Sequence, residues 1–182
     1  MKKMLLITFA LLLVANVANA GKLVGLYADL AHTKIETYAY PSFTCYPFFI
    51  NQDGEGLKGC EYTIALPGYD PEAMYNDWEV YETWPTTVAL HPGSATSGVS
   101  VVFKECYDNV YVYSERLTIM WNVEAYSFFV GIEGFPTSGL LMASCELGYP
   151  LYDLCITNHL AVNCPGVIDA EESSWGAIKS LF

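Results

Sequence analysis

The chain has 182 residues and a formal charge of −12 at neutral pH, because 20 Asp and Glu side chains face 8 Lys and Arg. This charge argues against nucleic acids and anionic membrane surfaces as partners, since both are bound through basic surfaces. Charged and aromatic residues each make up 15% of the chain, which is typical of a folded domain and not of a disordered one.

The first twenty residues have the parts of a secretory signal peptide. Lys2 and Lys3 precede the apolar run MLLITFALLLVA, and Ala18, Asn19 and Ala20 form a small-residue cleavage site. The apolar run is short for a membrane span, so a removable signal is favoured over an anchor. We therefore expect residues 1–20 to be cleaved, with no transmembrane segment left, and the mature protein to be secreted, extracellular or periplasmic.

Short β-branched and aromatic runs, separated by Gly and Pro turns, follow along the mature chain. The runs predict strands at 22–28, 34–40, 43–50, 60–66, 98–106, 109–121, 126–133, 139–147 and 154–162. This pattern is typical of a sandwich or barrel. We predict one all-β domain over residues 21–165, a two-sheet antiparallel β-sandwich, followed by an acidic linker and an amphipathic C-terminal tail over residues 166–182.

The segment YDPEAMYNDWEVYETWP begins with helix-start signals and continues with a period of two. Asp70 and Pro71 suit a first helical turn, whereas the residues from Trp78 onward alternate as in a strand that ends at Pro85. We expect a helical turn that gives way to a strand.

Four aromatic rings of this segment form the candidate ligand site: Tyr75, Trp78, Tyr81 and Trp84. Flat rings beside carboxylates can stack on sugar faces while the acids accept hydrogen bonds from hydroxyl groups. The alternative is that Trp78, Val80 and Trp84 face the core, which the period of two favours, leaving Tyr81 on the polar side.

The run NVYVYSERLTIMW at 109–121 is long and apolar enough to aggregate if it lay at a sheet edge. Glu115 and Arg116 interrupt it as gatekeeping charges would. We predict that this strand is central or covered, and that the protein is a soluble monomer.

The sequence predicts no catalytic residue, cofactor or metal site. His32, His91 and His159 lie outside nucleophile and zinc motifs. NQDGEG lacks the spacing of a calcium loop and is interpreted as a turn. A pair of catalytic carboxylates among the acidic residues cannot be identified by spacing on a β fold.

Six cysteines follow the predicted signal, and an even number in an exported chain favours disulfides. They are Cys45, Cys60, Cys106, Cys145, Cys155 and Cys164. Several pairings are open. The simplest joins Cys45 to Cys60 and Cys155 to Cys164, which leaves Cys106 with Cys145 to tie two distant strands.

The C-terminal tail carries an apolar face: Trp175, Ile178, Leu181 and Phe182 recur at helical spacing. The tail is shorter than the ~12–15 residues of a stable isolated helix, so another surface must order it. Either it docks on the sandwich or it serves as an anchoring or sorting address for a partner.

The segments GLYADLAHT, GVSVVFKEC, GLLMASCE, AVNC and ESSWGAIKSLF resemble a group of uncharacterised secreted bacterial proteins. The tail motif W-G-x-[IV]-K-x-L-[FY] is the most specific part of this resemblance. It implies a cohesin-like or immunoglobulin-like β-sandwich and no particular activity. Lys34 stands where relatives often carry Cys, which leaves the early disulfide pairing open.

Three functional classes remain. The first is a non-enzymatic extracellular binding or structural module with a protein or glycan partner at the cell surface. The second is a carbohydrate-binding module that uses the four rings. The third is a secreted hydrolase with an unrecognised carboxylate pair.

Overall fold

The computed structural model describes residues 22–38, 42–52, 54–69, 78–121 and 127–164. Regular structure in these ranges consists of fifteen strands. The strands are β1 (Lys22–Tyr27), β2 (Glu36–Thr37), β3 (Ser42–Asn51), β4 (Leu57–Ala65), β5 (Trp78–Thr83), β6 (Val88–Leu90), β7 (Gly93–Ser94), β8 (Gly98–Tyr107), β9 (Tyr111–Tyr113), β10 (Arg116–Trp121), β11 (Phe128–Glu133), β12 (Leu141–Ser144), β13 (Leu151–Asp153), β14 (Cys155–Asn158) and β15 (Leu160–Val162).

The strands form two sheets. The first sheet has the order β14-β1-β3-β10-β5, with β9 paired to β3. The second has the order β13-β12-β4-β11-β15-β2, with β8 paired to β4 and both β6 and β7 paired to β8. Side chains of both sheets meet in one core, as where the rings of Phe49 and Tyr62 lie 5.4 Å apart. The predicted two-sheet β-sandwich is confirmed.

Alternation of side chains explains how each sheet contributes to this core. In β4, Cys60, Tyr62 and Ile64 are buried between the sheets, whereas Glu61 and Thr63 point away from it. Successive side chains of a strand lie on opposite faces. The inner face of β4 therefore packs in the core, and its outer face is partly exposed to solvent.

The apolar run at 109–121 forms two strands with a break between them. β10 is central, paired with β3 on one side and β5 on the other, which confirms the prediction of a central strand. Arg116 is exposed, as a gatekeeping charge would be, but Glu115 is fully buried. The gatekeeping role predicted for Glu115 is wrong, because the chain turns this residue inward at the break between β9 and β10.

Most strand pairs are antiparallel, but two described pairs are parallel. β14 runs parallel to β1, and β15 runs parallel to β2. β1 and β14 belong to the first sheet, whereas β2 and β15 belong to the second. The chain therefore passes from the first sheet to the second between β1 and β2 and again between β14 and β15, and the strands before and after these two connections pair in parallel.

One disulfide is formed among the described residues. It joins Cys106 in β8 to Cys145 after β12, with the two Cα atoms 5.7 Å apart, a usual separation for this bond. The pairing expected between these two cysteines is confirmed.

The other two expected pairings are wrong, because all four of these cysteines are free thiols. Cys45 and Cys60 both point into the core, but from opposite sheets. Facing sheets lie about 10 Å apart, whereas a disulfide needs Cα atoms within ~7 Å. Cys155 likewise lies in the first sheet, and Cys164 follows β15 of the second. Two cysteines that are close in sequence do not pair here, because the chain between them passes from one sheet to the other.

Among the residues that the structure describes, no helix is long and apolar enough to cross a bilayer.

Candidate functional site

The outer face of the second sheet carries a continuous row of apolar residues. Strand register aligns Leu90 of β6 with Val102 of β8, and Val102 with Gly59 of β4. It then aligns Gly59 with Ala143 of β12, and Ala143 with Leu151 of β13. We call these five residues the apolar row.

The ends of the apolar row are large and its centre is small. Leu90 and Leu151 are each 64% exposed, whereas Gly59 and Ala143 between them leave a depression of about 100 Å³. Contiguous apolar patches on the surface of a monomeric protein often mark an interaction site. The shape is that of a shallow apolar groove with raised ends.

Gly59 is required at the centre of the groove. A Cβ atom at this position would lie 2.7 Å from the backbone oxygen of Val101, closer than atoms normally approach. Glycine therefore permits the close pairing of β4 with β8 and keeps the floor of the depression low.

The neighbouring row on the same face is polar and acidic. Register aligns Ser100, Glu61, Leu141 and Asp153 in neighbouring strands. Glu61 accepts a hydrogen bond from the hydroxyl of Ser138, which fixes the orientation of its carboxylate. The groove is thus bordered on this side by negative charge, in keeping with the charge of the whole chain.

The four predicted ligand-binding rings do not share one exposed surface in the described structure. Trp78 is 5% exposed, donates its indole N–H to the backbone oxygen of Pro67 and packs against Phe128. Tyr81 is exposed, and its hydroxyl donates to Glu79.

Trp84 is half-buried and stacks on His91, with ring centroids 4.1 Å apart. Tyr75 lies outside the described residues. The arrangement of Trp78 and Tyr81 follows the alternative in which the period of two turns Trp78 inward and Tyr81 outward.

The apolar tail residues, Trp175, Ile178, Leu181 and Phe182, also lie outside the described residues, as does the predicted signal peptide. The described residues contain no cluster of three or more His, Cys, Asp or Glu side chains able to hold a metal ion.

A second unusual site lies inside the sandwich. Glu115 is fully buried, and its Oε1 accepts a hydrogen bond of 2.6 Å from the hydroxyl of Tyr62, which also bonds to the hydroxyl of Ser114. Burial raises the pKa of Glu115 to about 8; the bond from Tyr62 lowers it, and the charge of Glu82 raises it further. Because Glu115 is fully buried, its ionisation affects the stability of the fold.

Sequence reasoning missed the apolar row because its two ends lie in strands it did not predict. Leu90 belongs to the three-residue strand β6, and Leu151 belongs to β13, also of three residues. The residues between them lie in or beside predicted strands, but only the register shows that they align. The sequence signal for the row was Gly59, because a glycine within a strand often marks a close approach of another backbone or a ligand.

No family model matches the chain, and no curated protein matches it. Cohesin modules are among the solved structures of similar fold. The sixth cohesin of scaffoldin B from Acetivibrio cellulolyticus, solved in complex with a Cel5 dockerin mutant, is 13% identical with a TM-score of 0.50. The alignment covers 79% of this chain and 98% of that one.

A cohesin module of a family 33 glycoside hydrolase from Clostridium perfringens is 10% identical, with a TM-score of 0.47 and coverage of 79% and 97%. At such identities the likeness to the Acetivibrio module shows the fold alone, a cohesin-like β-sandwich.

Proposed function

We propose that this protein is a non-enzymatic extracellular binding module that docks a folded protein partner on the apolar row. The observation that carries the proposal is the alignment of Leu90, Val102, Gly59, Ala143 and Leu151 on one exposed face. Apolar groups at the centre of a contact surface supply most of the binding energy.

The expected partner presents an apolar helix face with Lys or Arg at its rim. A helix suits a groove with a low floor and raised ends, since its ridge of side chains fits between Leu90 and Leu151. The carboxylates of Glu61 and Asp153 border the groove, so basic residues on the partner complement them and steer the encounter. The Acetivibrio module of similar fold was solved in complex with a mutant Cel5 dockerin, which supports a protein ligand over a small molecule.

An extracellular location agrees with the predicted signal peptide and with the disulfide between Cys106 and Cys145. Disulfides persist in oxidising compartments and are rare in the cytosol. The acidic surface keeps such a module soluble and repels anionic polymers.

The test compares two double variants that each place two carboxylates on the surface. Leu90→Glu with Leu151→Glu alters the apolar row. Tyr81→Glu with Ile156→Glu alters two exposed positions of the first sheet and serves as the matched control. Each immobilised protein is exposed to the secreted proteins of the source organism. We expect a partner that the wild type and the control retain and that the row variant loses at least tenfold.

The captured partner is then purified, and its Kd for each protein is measured at two salt concentrations. Weaker binding at high salt is expected from the acidic border. Equal retention by the row variant and the wild type would contradict the proposal. Concentration-dependent dimerisation of the wild type alone, removed in the row variant, would instead assign the row to a second copy of this chain.

Carbohydrate binding remains the alternative proposal for Tyr81, whose ring is 53% exposed. A glycan array measures it directly. Binding that is lost in the Tyr81 variant and kept in the row variant would favour it over protein docking.

A further inference from the structure

A lysine, an asparagine and a glutamate meet at one end of the first sheet. Lys22 is the first residue of β1 and stands directly opposite Asn51, the last residue of β3. The two residues are only 5% and 1% exposed. The Nζ atom of Lys22 lies 3.5 Å from Oδ1 of Asn51 and 2.7 Å from Oε2 of Glu55.

The surroundings keep the amine in place. It lies above the ring of Tyr152, 4.5 Å from the ring centroid, and it forms an ion pair with Glu55 at 2.7 Å. Groups that folding holds side by side react far faster than free molecules, because the entropy of bringing them together has been lost already on folding. Exclusion of water also suppresses the competing hydrolysis of the carboxamide.

We propose that Lys22 and Asn51 form an intramolecular isopeptide bond, with Glu55 as the acid–base catalyst. The carboxylate of Glu55 takes a proton from the ammonium, and the neutral Nζ attacks Cγ of Asn51 to form a new C–N bond. The carboxyl group delivers this proton to Nδ2, and a second proton passes from Nζ through Glu55 to Nδ2 as the bond from Cγ to Nδ2 breaks. The nitrogen leaves as ammonium, Glu55 ends as a carboxylate, and no oxidant or reductant is needed.

The geometry distinguishes this site from an ordinary ion pair. An ion pair requires only the carboxylate, which lies at the short distance expected for a charged hydrogen bond. The carbonyl oxygen of Asn51 lies at the long limit of hydrogen bonding. It is a close neighbour of the amine rather than a tight acceptor, and burial of its carboxamide directly beside the amine is what the reaction needs.

The bond would join positions 29 residues apart and fasten β1 to β3 covalently. Unlike the disulfide between Cys106 and Cys145, it would resist reduction. The second sheet would then hold a cross-link that reductants break, the disulfide, and the first sheet would hold one that they do not break, the isopeptide bond.

The test is mass spectrometry of the full exported chain after reduction, with its N-terminus determined by sequencing. We expect a mass lower by one ammonia than the sequence requires. Tryptic cleavage after Lys34 and Lys58 separates Lys22 from Asn51 into different peptides, and we expect to find these two joined in one branched species.

Glu55→Gln removes the catalyst and keeps the size of the side chain, so it should restore the full mass and the two separate peptides. Glu105→Gln is the matched control at an exposed position of β8 in the second sheet and should leave the bond in place. A wild-type chain of full mass, or one with Asn51 hydrolysed to Asp and no branched peptide, would overturn the proposal whether or not the variants fold.

Discussion

The carboxyl group of Glu115 lies between the sheets, where no solvent reaches it. One oxygen is bonded to Tyr62, and the other, Oε2, has no hydrogen-bond partner among the described residues. An ionised carboxylate in such a place loses its hydration without full compensation. Burial therefore raises the pKa of Glu115 to about 8, from 4.5 in an ordinary setting.

This pKa makes stability fall as the pH rises. Between pH 4.5 and 8 the folded chain keeps a proton that the unfolded chain has lost. The stabilisation that this proton provides is therefore complete below pH 4.5 and is lost above pH 8. Glu115→Gln removes the titration. We expect the difference in unfolding free energy between wild type and variant to change by roughly 5 kcal/mol across this window, since one pKa unit is worth about 1.4 kcal/mol.

Urea denaturation at several pH values measures this difference. Glu105→Gln, at an exposed position of β8, is the control and should follow the wild type. A Glu115 variant that follows the wild-type pH profile would show that the carboxyl group stays ionised in the core.

Single residues show where the sequence misleads. A charge in the middle of an apolar run normally faces water, and Arg116 does so, but Glu115 beside it faces Tyr62. The period of two correctly places Trp78 inside and Tyr81 outside, whereas no local pattern indicates that Glu115 bonds to Tyr62. That partner is 53 residues away, and only the packing of one sheet on the other brings it near.

At the scale of elements, the long strands are predictable and the short ones are not. β1, β3, β4, β8 and β11 lie within a few residues of their predicted bounds because each has a long alternating or apolar pattern. β6, β7 and β13 have two or three residues each, too few to show a period. The apolar row ends on two of these short strands, so the candidate site was not predictable from local pattern.

The pairing of β4 with β8 gives a prediction at this scale. Gly59→Ala places a Cβ atom 2.7 Å from the backbone oxygen of Val101, and backbone has little freedom to move within a sheet. We expect a loss of about 1–3 kcal/mol in unfolding free energy, as overpacking usually costs. Gly131→Ala in β11 is the control, because its nearest neighbour would lie at 3.4 Å, an ordinary contact. Urea denaturation compares the two, and equal losses would contradict the role of Gly59.

At the scale of the molecule, the class of fold follows from the sequence but its covalent framework does not. The spacing of apolar runs and turns is enough to predict a sandwich, since two sheets are the common way to bury such strands. Pairing of cysteines depends on which sheet each strand joins, and this is a property of the whole topology. The disulfide that was predicted correctly, between Cys106 and Cys145, is the one that lies within the second sheet.

Thiol labelling tests this framework. In the native protein we expect iodoacetamide to modify the exposed Cys155 and to leave the buried Cys45 and Cys60 unmodified. Burial also raises the pKa of the Cys45 thiol, and the charge of Glu115 adds to this effect, which disfavours the reactive thiolate. Denaturation without a reductant should expose all the free thiols and leave Cys106 and Cys145 protected. If no cysteine reacts in denaturant until a reductant is added, all six are paired.

The two parallel strand pairs also determine how the domain bears load. Because β1 runs beside β14 and β2 beside β15 in the same direction, Lys22 and Cys164 lie toward opposite ends of these pairs. A pull between these two residues slides the paired strands along each other, so their hydrogen bonds resist together instead of opening one after another. A module under tension between its ends would therefore yield in shear. An isopeptide bond at Lys22 would transfer the force directly to β3, away from the strand that carries it first.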